Sequence, residues 1–116
     1  MKKIIIICVS LFIILFLIQH YLTSINSTKM KVAVWDTYVN KKDGSIMHFD
    51  ILVPAEIKDS NIIYRYGLEY LKEKGFEGLE LTSKECKFCH VELVKPAAEQ
   101  SIQEKGYYIY EMENCN

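Results

Sequence analysis

The chain opens with an apolar run that a small soluble domain has no means of burying. Ile4 to Leu22 is predominantly apolar and follows Lys2 and Lys3. A helix needs about 20 such residues to cross a bilayer, and this run is apolar around its whole circumference, whereas a helix on a domain surface is apolar on one side. We therefore predict one transmembrane helix, which with a short linker occupies residues 1–29, and a folded domain in residues 30–116.

The N-terminus has two alternative interpretations. A signal peptide that is removed on export also begins with lysines and an apolar run, and Ser24 or Ser27 would then lie near the cleavage site. A translation start at Met30 would instead give a cytoplasmic domain with no membrane segment. Lysines flank the run on both sides, so the excess of positive charge that marks the cytoplasmic side does not set its orientation. The sequence predicts a single-pass membrane protein, with its domain on either the cytoplasmic or the outer side of the membrane.

The domain is net acidic, which argues against a nucleic-acid partner. Residues 30–116 hold all 15 acidic side chains of the chain but lack Lys2, Lys3 and Lys29, three of its 14 basic ones. Affinity for nucleic acid depends on clustered lysine and arginine, and the sequence has no such stripe. It also lacks the P-loop, the nucleophile elbow and the metalloprotease motif. These observations favour a non-catalytic binding or interaction module over an enzyme.

Residues 31–53 carry the pattern of a β-hairpin. The first strand is rich in β-branched and aromatic residues, and Ile46 to Val53 alternates apolar and polar side chains. Between them, Asp43-Gly44 is a residue pair that favours a tight hairpin turn. Pro54 ends the second strand.

Two helices and two more strands complete the predicted domain. The first helix begins at Asp59 or Ser60, which can cap it, and the second spans Pro96 to Lys105, with proline in its first turn. The remaining strands are predicted at Phe88–Val94 and Tyr107–Met112. The order ββαβαβ predicts an α+β two-layer sandwich, with a four-stranded mixed sheet and both helices on one face.

Several runs of the domain carry a resemblance to a known family. They are Met30–Val39, Lys42–Gly44, Met47–Pro54, Leu81–His90 and Gly106–Ile109. Together they are similar to the DUF2024 family over residues 30–115. The resemblance implies a small bacterial α/β domain and supplies no reaction, because the family has no established activity. Its members begin near the position of Met30, so the apolar N-terminal segment departs from the family pattern.

The reactive side chains of the domain cluster in the run Cys86-Lys87-Phe88-Cys89-His90. Two thiols three residues apart, with an imidazole directly after the second, are ligands that Zn²⁺ accepts. The predicted metal ligands are therefore Cys86, Cys89 and His90, with Cys115 or His48 as the fourth. Because the chain has no second C-x-x-C, the fourth ligand must come from a distant part of the sequence.

The same motif fits three other roles. A C-x-x-C pair in an exported domain can cycle a disulfide. C-x-x-C-H is also the attachment motif of c-type haem, for which His90 and either Met47 or Met112 would be the axial ligands. In the third role, Cys86 and Cys89 are small buried side chains with no chemical function.

A second group of polar residues lies in the predicted hairpin. His48 and Asp50 share one face of the second strand, and Asp36 lies on the first strand. Such groups can line a site for acid–base chemistry, but a half-covered sheet more often presents polar residues to solvent. We interpret them as a solvated face, in which His48 becomes a metal ligand if the hairpin lies beside residues 86–90.

Overall fold

Three helices and four strands form in the part of the chain, residues 1–25 and 29–116, that a computed structural model describes. In chain order they are α1 (Lys2–Ile25), β1 (Lys31–Asn40), β2 (Ile46–Pro54), α2 (Ser60–Glu73), β3 (Cys86–Leu93), α3 (Pro96–Lys105) and β4 (Tyr108–Glu113). The predicted α+β class and the predicted order of elements are confirmed.

Helix α1 is the long apolar helix that the sequence predicts. Its large apolar side chains are exposed along its length. The segment Lys2–Ser24 is long and apolar enough to cross a membrane, and none of it is buried. Because packing against the domain does not cover this surface, α1 is a candidate membrane span or signal sequence.

Strands β1 and β2 form the central hairpin of the sheet. Their antiparallel register pairs Asn40 with Ile46 at the turn. Gly44 in this turn has a φ of +87°, a left-handed conformation that glycine adopts without strain. The Asp43 carboxylate fixes the turn, because it accepts hydrogen bonds from the backbone N–H and the hydroxyl of Ser45.

The sheet has the strand order β3-β1-β2-β4, with β3 and β4 at its edges. Every neighbouring pair is antiparallel, so the predicted mixed sheet is corrected to an antiparallel one. A mixed sheet needs at least one parallel pair of neighbouring strands, such as β3 beside β4. Instead, the segment that contains α3 takes the chain from one edge of the sheet to the other, and each outer strand pairs with the central hairpin.

Helix α2 covers one face of the sheet, which we call the α2 face. The Asp59 carboxylate caps the helix by accepting a hydrogen bond from the backbone N–H of Asn61 at 3.0 Å. Ile63 and Leu71 of α2 pack in one cluster with Phe49 of β2. Burial of each such side chain contributes about 1.5–3 kcal/mol. The largest fully buried side chains of this core are Met47, Phe49, Ile51, Ile63, Leu71 and Tyr107.

Helix α3 packs on the opposite face of the sheet, which differs from the predicted placement beside α2. Ala98 and Ile102 form a second buried cluster with Val32, Val34 and Leu52 of the central hairpin. Strand β1 is therefore covered on both faces at this end. Helix α3 covers only that end of the sheet. The two-layer arrangement therefore holds over the rest of the sheet. There, no described helix covers the second face, which we call the open face.

Candidate metal centre on the open face

Three ligand-type side chains converge on the open face. Asp36 of β1 and His48 and Asp50 of β2 each offer a ligand atom, and these atoms all lie within 4.8 Å of one another. Nε2 of His48 is 3.3 Å from Oδ1 of Asp36 and 3.9 Å from Oδ1 of Asp50. Among the residues that the structure describes, this is the one such group of histidine, cysteine and carboxylate side chains. We call it the Asp–His cluster.

The hairpin register places the two carboxyl groups of the cluster directly opposite each other. Asp36 pairs with Asp50 across β1 and β2, and the Cβ atoms of such a pair lie about 4.5–5.5 Å apart. Two ionised carboxylates at this separation repel each other. Burial, and then the neighbouring Asp36, raise the pKa of Asp50 to about 7. The hydrogen bond with Asp50 is the main cause that lowers the pKa of Asp36. Below about pH 7 the pair therefore holds one proton, which Asp50 carries.

Stacking and burial hold His48 in place. The ring of Tyr38, its partner across the hairpin, stacks on the imidazole with 4.0 Å between centroids and 12° between planes. The side chains of His48 and Asp50 are 13% and 17% exposed. Oδ1 of Asp50 is buried and has no hydrogen-bond partner. The cluster therefore contains an ordered imidazole beside an unsatisfied carboxyl oxygen.

A β-bulge in β3 directs Cys89 and His90 to the same face of the sheet. Phe88 and His90 pair with consecutive residues of β1, which leaves Cys89 between them as the extra residue. Neighbouring residues of a regular strand point to opposite faces, and a bulge breaks this alternation. Sγ of Cys89 lies 3.3 Å from Nδ1 of His90, and the proximity of its thiol is one of the causes that lower the pKa of Asp36. Cys89 thus borders the Asp–His cluster.

Cys86, the first residue of β3, points to the other side of the sheet. It pairs with Thr37 and lies in the core of the α2 face, where it is 1% exposed. Burial raises the pKa of its thiol. The predicted ligands Cys86, Cys89 and His90 are therefore divided between the two faces. The prediction placed Cys86 in the turn before β3, whereas the strand begins at Cys86 itself, and residues three apart in a strand face opposite sides.

Cys115, predicted as an alternative fourth ligand, is also a core residue. It is 5% exposed and packs in the cluster of the α2 face. Its thiol donates a hydrogen bond to the backbone carbonyl oxygen of His48 at 3.4 Å. Of the predicted ligands, the His48 side chain alone belongs to the Asp–His cluster, and Cys89 and His90 lie beside it.

The division of Cys86 from Cys89 also bears on disulfide and haem chemistry. A disulfide needs converging Cβ atoms about 3.5–4.5 Å apart, and two thioether bonds to one haem need both sulfurs on the same side. These two residues lie on opposite sides of the sheet, and all four cysteines are free. Met47, considered as an axial ligand, is fully buried in the core, and Met112 is half exposed on β4. In this geometry, the C-x-x-C-H motif does not form either kind of site.

A groove of about 250 Å³ lies between the Asp–His cluster and α3. Asp50 and His90 line it from the sheet, and Lys95 and Ala98 line it from the start of α3. Tyr110 of β4, which pairs with Asp50, forms another part of the wall. The groove keeps one side of the cluster accessible to small solutes.

The sequence of this domain matches a known family. The profile of the family described as "Domain of unknown function (DUF2024)" matches residues 30–112, which is most of the chain. The chain belongs to the DUF2024 family. The match begins just before β1 and ends in β4, so the DUF2024 domain comprises the sheet with α2 and α3, and α1 lies outside it.

The NMR structure of protein NE1680 from Nitrosomonas europaea is similar to this DUF2024 chain. The two sequences are 40% identical and the structures have a TM-score of 0.66, over 75% of this chain and 100% of that one. No curated protein matches the chain. The whole of NE1680 therefore corresponds to a domain-sized part of the present chain.

Proposed function

We propose that this DUF2024 chain is a single-pass membrane protein whose domain is a binding module without catalytic activity, and that the domain binds Zn²⁺ at the Asp–His cluster. The observation that carries the proposal is the convergence of one imidazole and two carboxyl groups within 4.8 Å on the open face. Zn²⁺ takes nitrogen and oxygen ligands of these types in proteins. Helix α1, long and apolar enough to cross a bilayer, supports the membrane attachment.

The spacing of the ligand atoms supports a tetrahedral ion. With Zn–N and Zn–O bonds of about 2.0–2.2 Å, neighbouring ligand atoms of a tetrahedron lie roughly 3.3–3.6 Å apart. Nε2 of His48 is 3.3 Å from the Asp36 carboxyl oxygen and 3.9 Å from that of Asp50. An ion at this position therefore needs Asp50 to move closer to His48.

The electrostatics of the cluster supports a cation in the same place. Asp50, with a pKa raised to about 7, retains its proton up to about that pH because its carboxyl group is largely buried and lies beside Asp36. A divalent cation takes the place of that proton and gives the unpaired Oδ1 atom of Asp50 a partner. Cys89 lies beside Asp36 but outside the group of converging ligand atoms; a soft thiolate drawn in from this position would favour Zn²⁺ over Mg²⁺ or Ca²⁺.

Isothermal titration of Zn²⁺ into the full chain in detergent micelles, after removal of metal with a chelator, tests the site. We expect one ion per chain and release of a proton as Asp50 ionises. Affinity should decrease as the pH falls below about 7, because the proton on Asp50 competes with the ion. His48→Ala and Asp50→Asn, which each remove one ligand, should weaken binding by more than about tenfold.

His90→Ala is the matched control for His48→Ala. It removes the other histidine of the open face, whose Nε2 already lies 3.0 Å from Oε2 of Glu92. This variant should bind one Zn²⁺ ion, as the original chain does. Unchanged binding in His48→Ala would refute the site, and so would loss of binding in Cys86→Ala alone.

Membrane attachment is tested separately by fractionation and flotation. The full chain should stay with the membranes after extraction at high pH and should float with lipid vesicles, whereas residues 30–116 alone should remain soluble under the same extraction. Release of the full chain into the soluble fraction would contradict the attachment and leave the metal proposal unaffected.

A further inference from the structure

An apolar surface lies on the α2 face at the outer edge of the sheet. Phe88, Val91 and Leu93 of β3 are 54%, 48% and 55% exposed. Trp35 and Ile57 join Phe88 and Val91 around a groove of about 340 Å³, and Leu93 extends the surface along the strand. We call these five residues the edge patch. Exposed apolar side chains gathered in this way on a small domain mark a contact surface.

Trp35 contributes a half-buried aromatic ring to the edge patch. Its ring packs edge-on against Phe88, with 5.8 Å between centroids and 70° between planes. The indole Nε1 atom is buried and has no hydrogen-bond partner, so the patch presents the apolar part of the ring. The half-buried ring therefore adds apolar area to the patch and lies close enough to its surface to report on contact with lipid.

The covalent connection to α1 determines what the edge patch meets. Helix α1 ends at Ile25 and β1 begins at Lys31, so the chain between them spans at most roughly 20 Å. Lys31 pairs with Leu93 across β1 and β3. The edge patch therefore starts at the point where the chain enters the domain. Because the connecting segment is so short, the domain always lies close to the surface of the bilayer that holds α1.

We infer that the edge patch docks on the bilayer into which α1 is inserted, an inference that rests on the membrane attachment proposed above. Docking places Phe88, Val91 and Leu93 among the lipid headgroups, with Trp35 at the same level. The Asp–His cluster lies on the other face of the sheet and stays in water. Membrane contact and the metal site therefore occupy separate surfaces of the domain.

The charged residues around the edge patch indicate that apolar burial dominates this contact. Lys31 lies at one end of the patch and Lys58 lines its groove. Both can meet lipid phosphates. Glu56 and Asp59, in the same loop as Lys58, are exposed as well, so the surface carries little net charge. Docking should therefore depend weakly on salt and on the fraction of anionic lipid.

The fluorescence of Trp35 provides a direct assay, because it is the sole tryptophan of the chain. The full chain is reconstituted into vesicles that contain lipids brominated near the headgroup end of their acyl chains. Bromine quenches indole fluorescence on contact, so we expect the emission to fall as the fraction of brominated lipid rises. Flotation of the same vesicles shows independently whether α1 is inserted.

Paired substitutions identify the surface that makes the contact. Val91→Ser with Leu93→Ser makes the edge patch polar without touching the ring pair of Trp35, and it should reduce the quenching. Tyr110→Ser with Met112→Ser is the matched control, since these residues of β4 are 52% and 48% exposed at the opposite edge of the sheet. The control should leave the quenching unchanged.

Each remaining outcome overturns the inference. Vesicles that carry inserted chain but show no quenching would separate the domain from the bilayer while leaving its attachment intact. Equal quenching in the two double variants would assign the contact to another surface. Cross-linking between two copies across β3, without quenching, would make the edge patch a dimer interface. Failure of the chain to float would remove the attachment and the docking together.

Discussion

Gly75 and Gly106 offer a matched test of what the stacked tyrosines contribute to the stability of the domain. Each glycine follows Glu-Lys at the end of a helix, and each has a positive φ, +85° and +91° respectively. A Cβ atom added at Gly75 meets nothing within 4 Å, whereas one at Gly106 would lie 2.7 Å from the hydroxyl oxygen of Tyr66. The ring of Tyr66 stacks on the buried Tyr107, with 4.6 Å between centroids.

The expected losses follow from these two environments. Alanine at either position carries the cost of a left-handed backbone, about 1–2 kcal/mol. Gly106→Ala also displaces Tyr66 from Tyr107, and such an aromatic pair contributes about 0.5–1.5 kcal/mol. We expect Gly75→Ala to lower the free energy of unfolding by about 1–2 kcal/mol and Gly106→Ala by about 1.5–3.5 kcal/mol. In a domain of this size, a difference of about 1 kcal/mol separates the Tm values by about 4–8 °C.

Equilibrium unfolding in urea, followed by the fluorescence of Trp35, measures both losses in the full chain in detergent micelles. Trp35 lies in β1, so its signal reports on the domain and not on α1. A double-mutant cycle with Tyr66→Ala isolates the steric contact. In that background, Gly106→Ala should cost no more than Gly75→Ala.

Equal losses for the two glycines in the original background would refute the reasoning, since the contact with Tyr66 is the feature that distinguishes them. The same conclusion would follow if Tyr66→Ala left the cost of Gly106→Ala unchanged. In either case the stability lost at Gly106 would come from the backbone alone.

Three further predictions concern the titration of the open face, the accessibility of the thiols and the extent of the domain. Because the pKa of Asp50 is raised above its ordinary value of 3.8, Asp50 contributes stability at low pH that is lost as the pH rises to about 7; urea unfolding of the metal-free chain should show this decline, and its persistence in Asp50→Asn would contradict the assignment. Alkylation with iodoacetamide under native conditions, followed by mass spectrometry, should modify Cys89 and spare Cys86 and Cys115, since the first is exposed and the other two are buried; rapid modification of Cys86 would be inconsistent with its position in the core. Residues 30–116 alone should unfold in one cooperative transition, because the whole sheet lies in this range and NE1680 aligns in full with a domain-sized part of the chain; an aggregated or molten product in circular dichroism and gel filtration would argue against an independent domain.

Local signals in the sequence were enough to predict the elements of the domain. Asp43-Gly44 forms the hairpin turn, Asp59 caps α2, and Gly106 ends α3 in a left-handed conformation. Each of these acts within a few residues of the chain. The faces on which the helices pack are not encoded so locally. Valines such as Val32 and Val34 occur in any buried strand and do not indicate which helix covers them. The path of α3 across the sheet decides this.

Some features of the candidate site can likewise be predicted from the local sequence, whereas others depend on how the strands pair. Alternation along a strand places His48 and Asp50 on one face, so their proximity follows from the sequence. Their position opposite Asp36 depends on the register that the hairpin sets. The separation of Cys86 from Cys89 was missed because β3 begins two residues earlier than predicted. The bulge at Cys89 is defined by the pairing of β3 with β1, so the sequence of β3 alone does not predict it.

The contacts that residues 114–116 make with the hairpin affect when the domain can form during synthesis. Cys115 is buried, the side-chain amide of Asn114 donates to the carbonyl oxygen of Ile46 at 2.8 Å, and Nζ of Lys41 donates to that of Asn116 at 3.0 Å. In chain order α1 precedes the domain, whereas β4 and these residues follow the other strands, so α1 leaves the ribosome before them. The hydrophobic helix is therefore available to the insertion machinery while the sheet still lacks an outer strand.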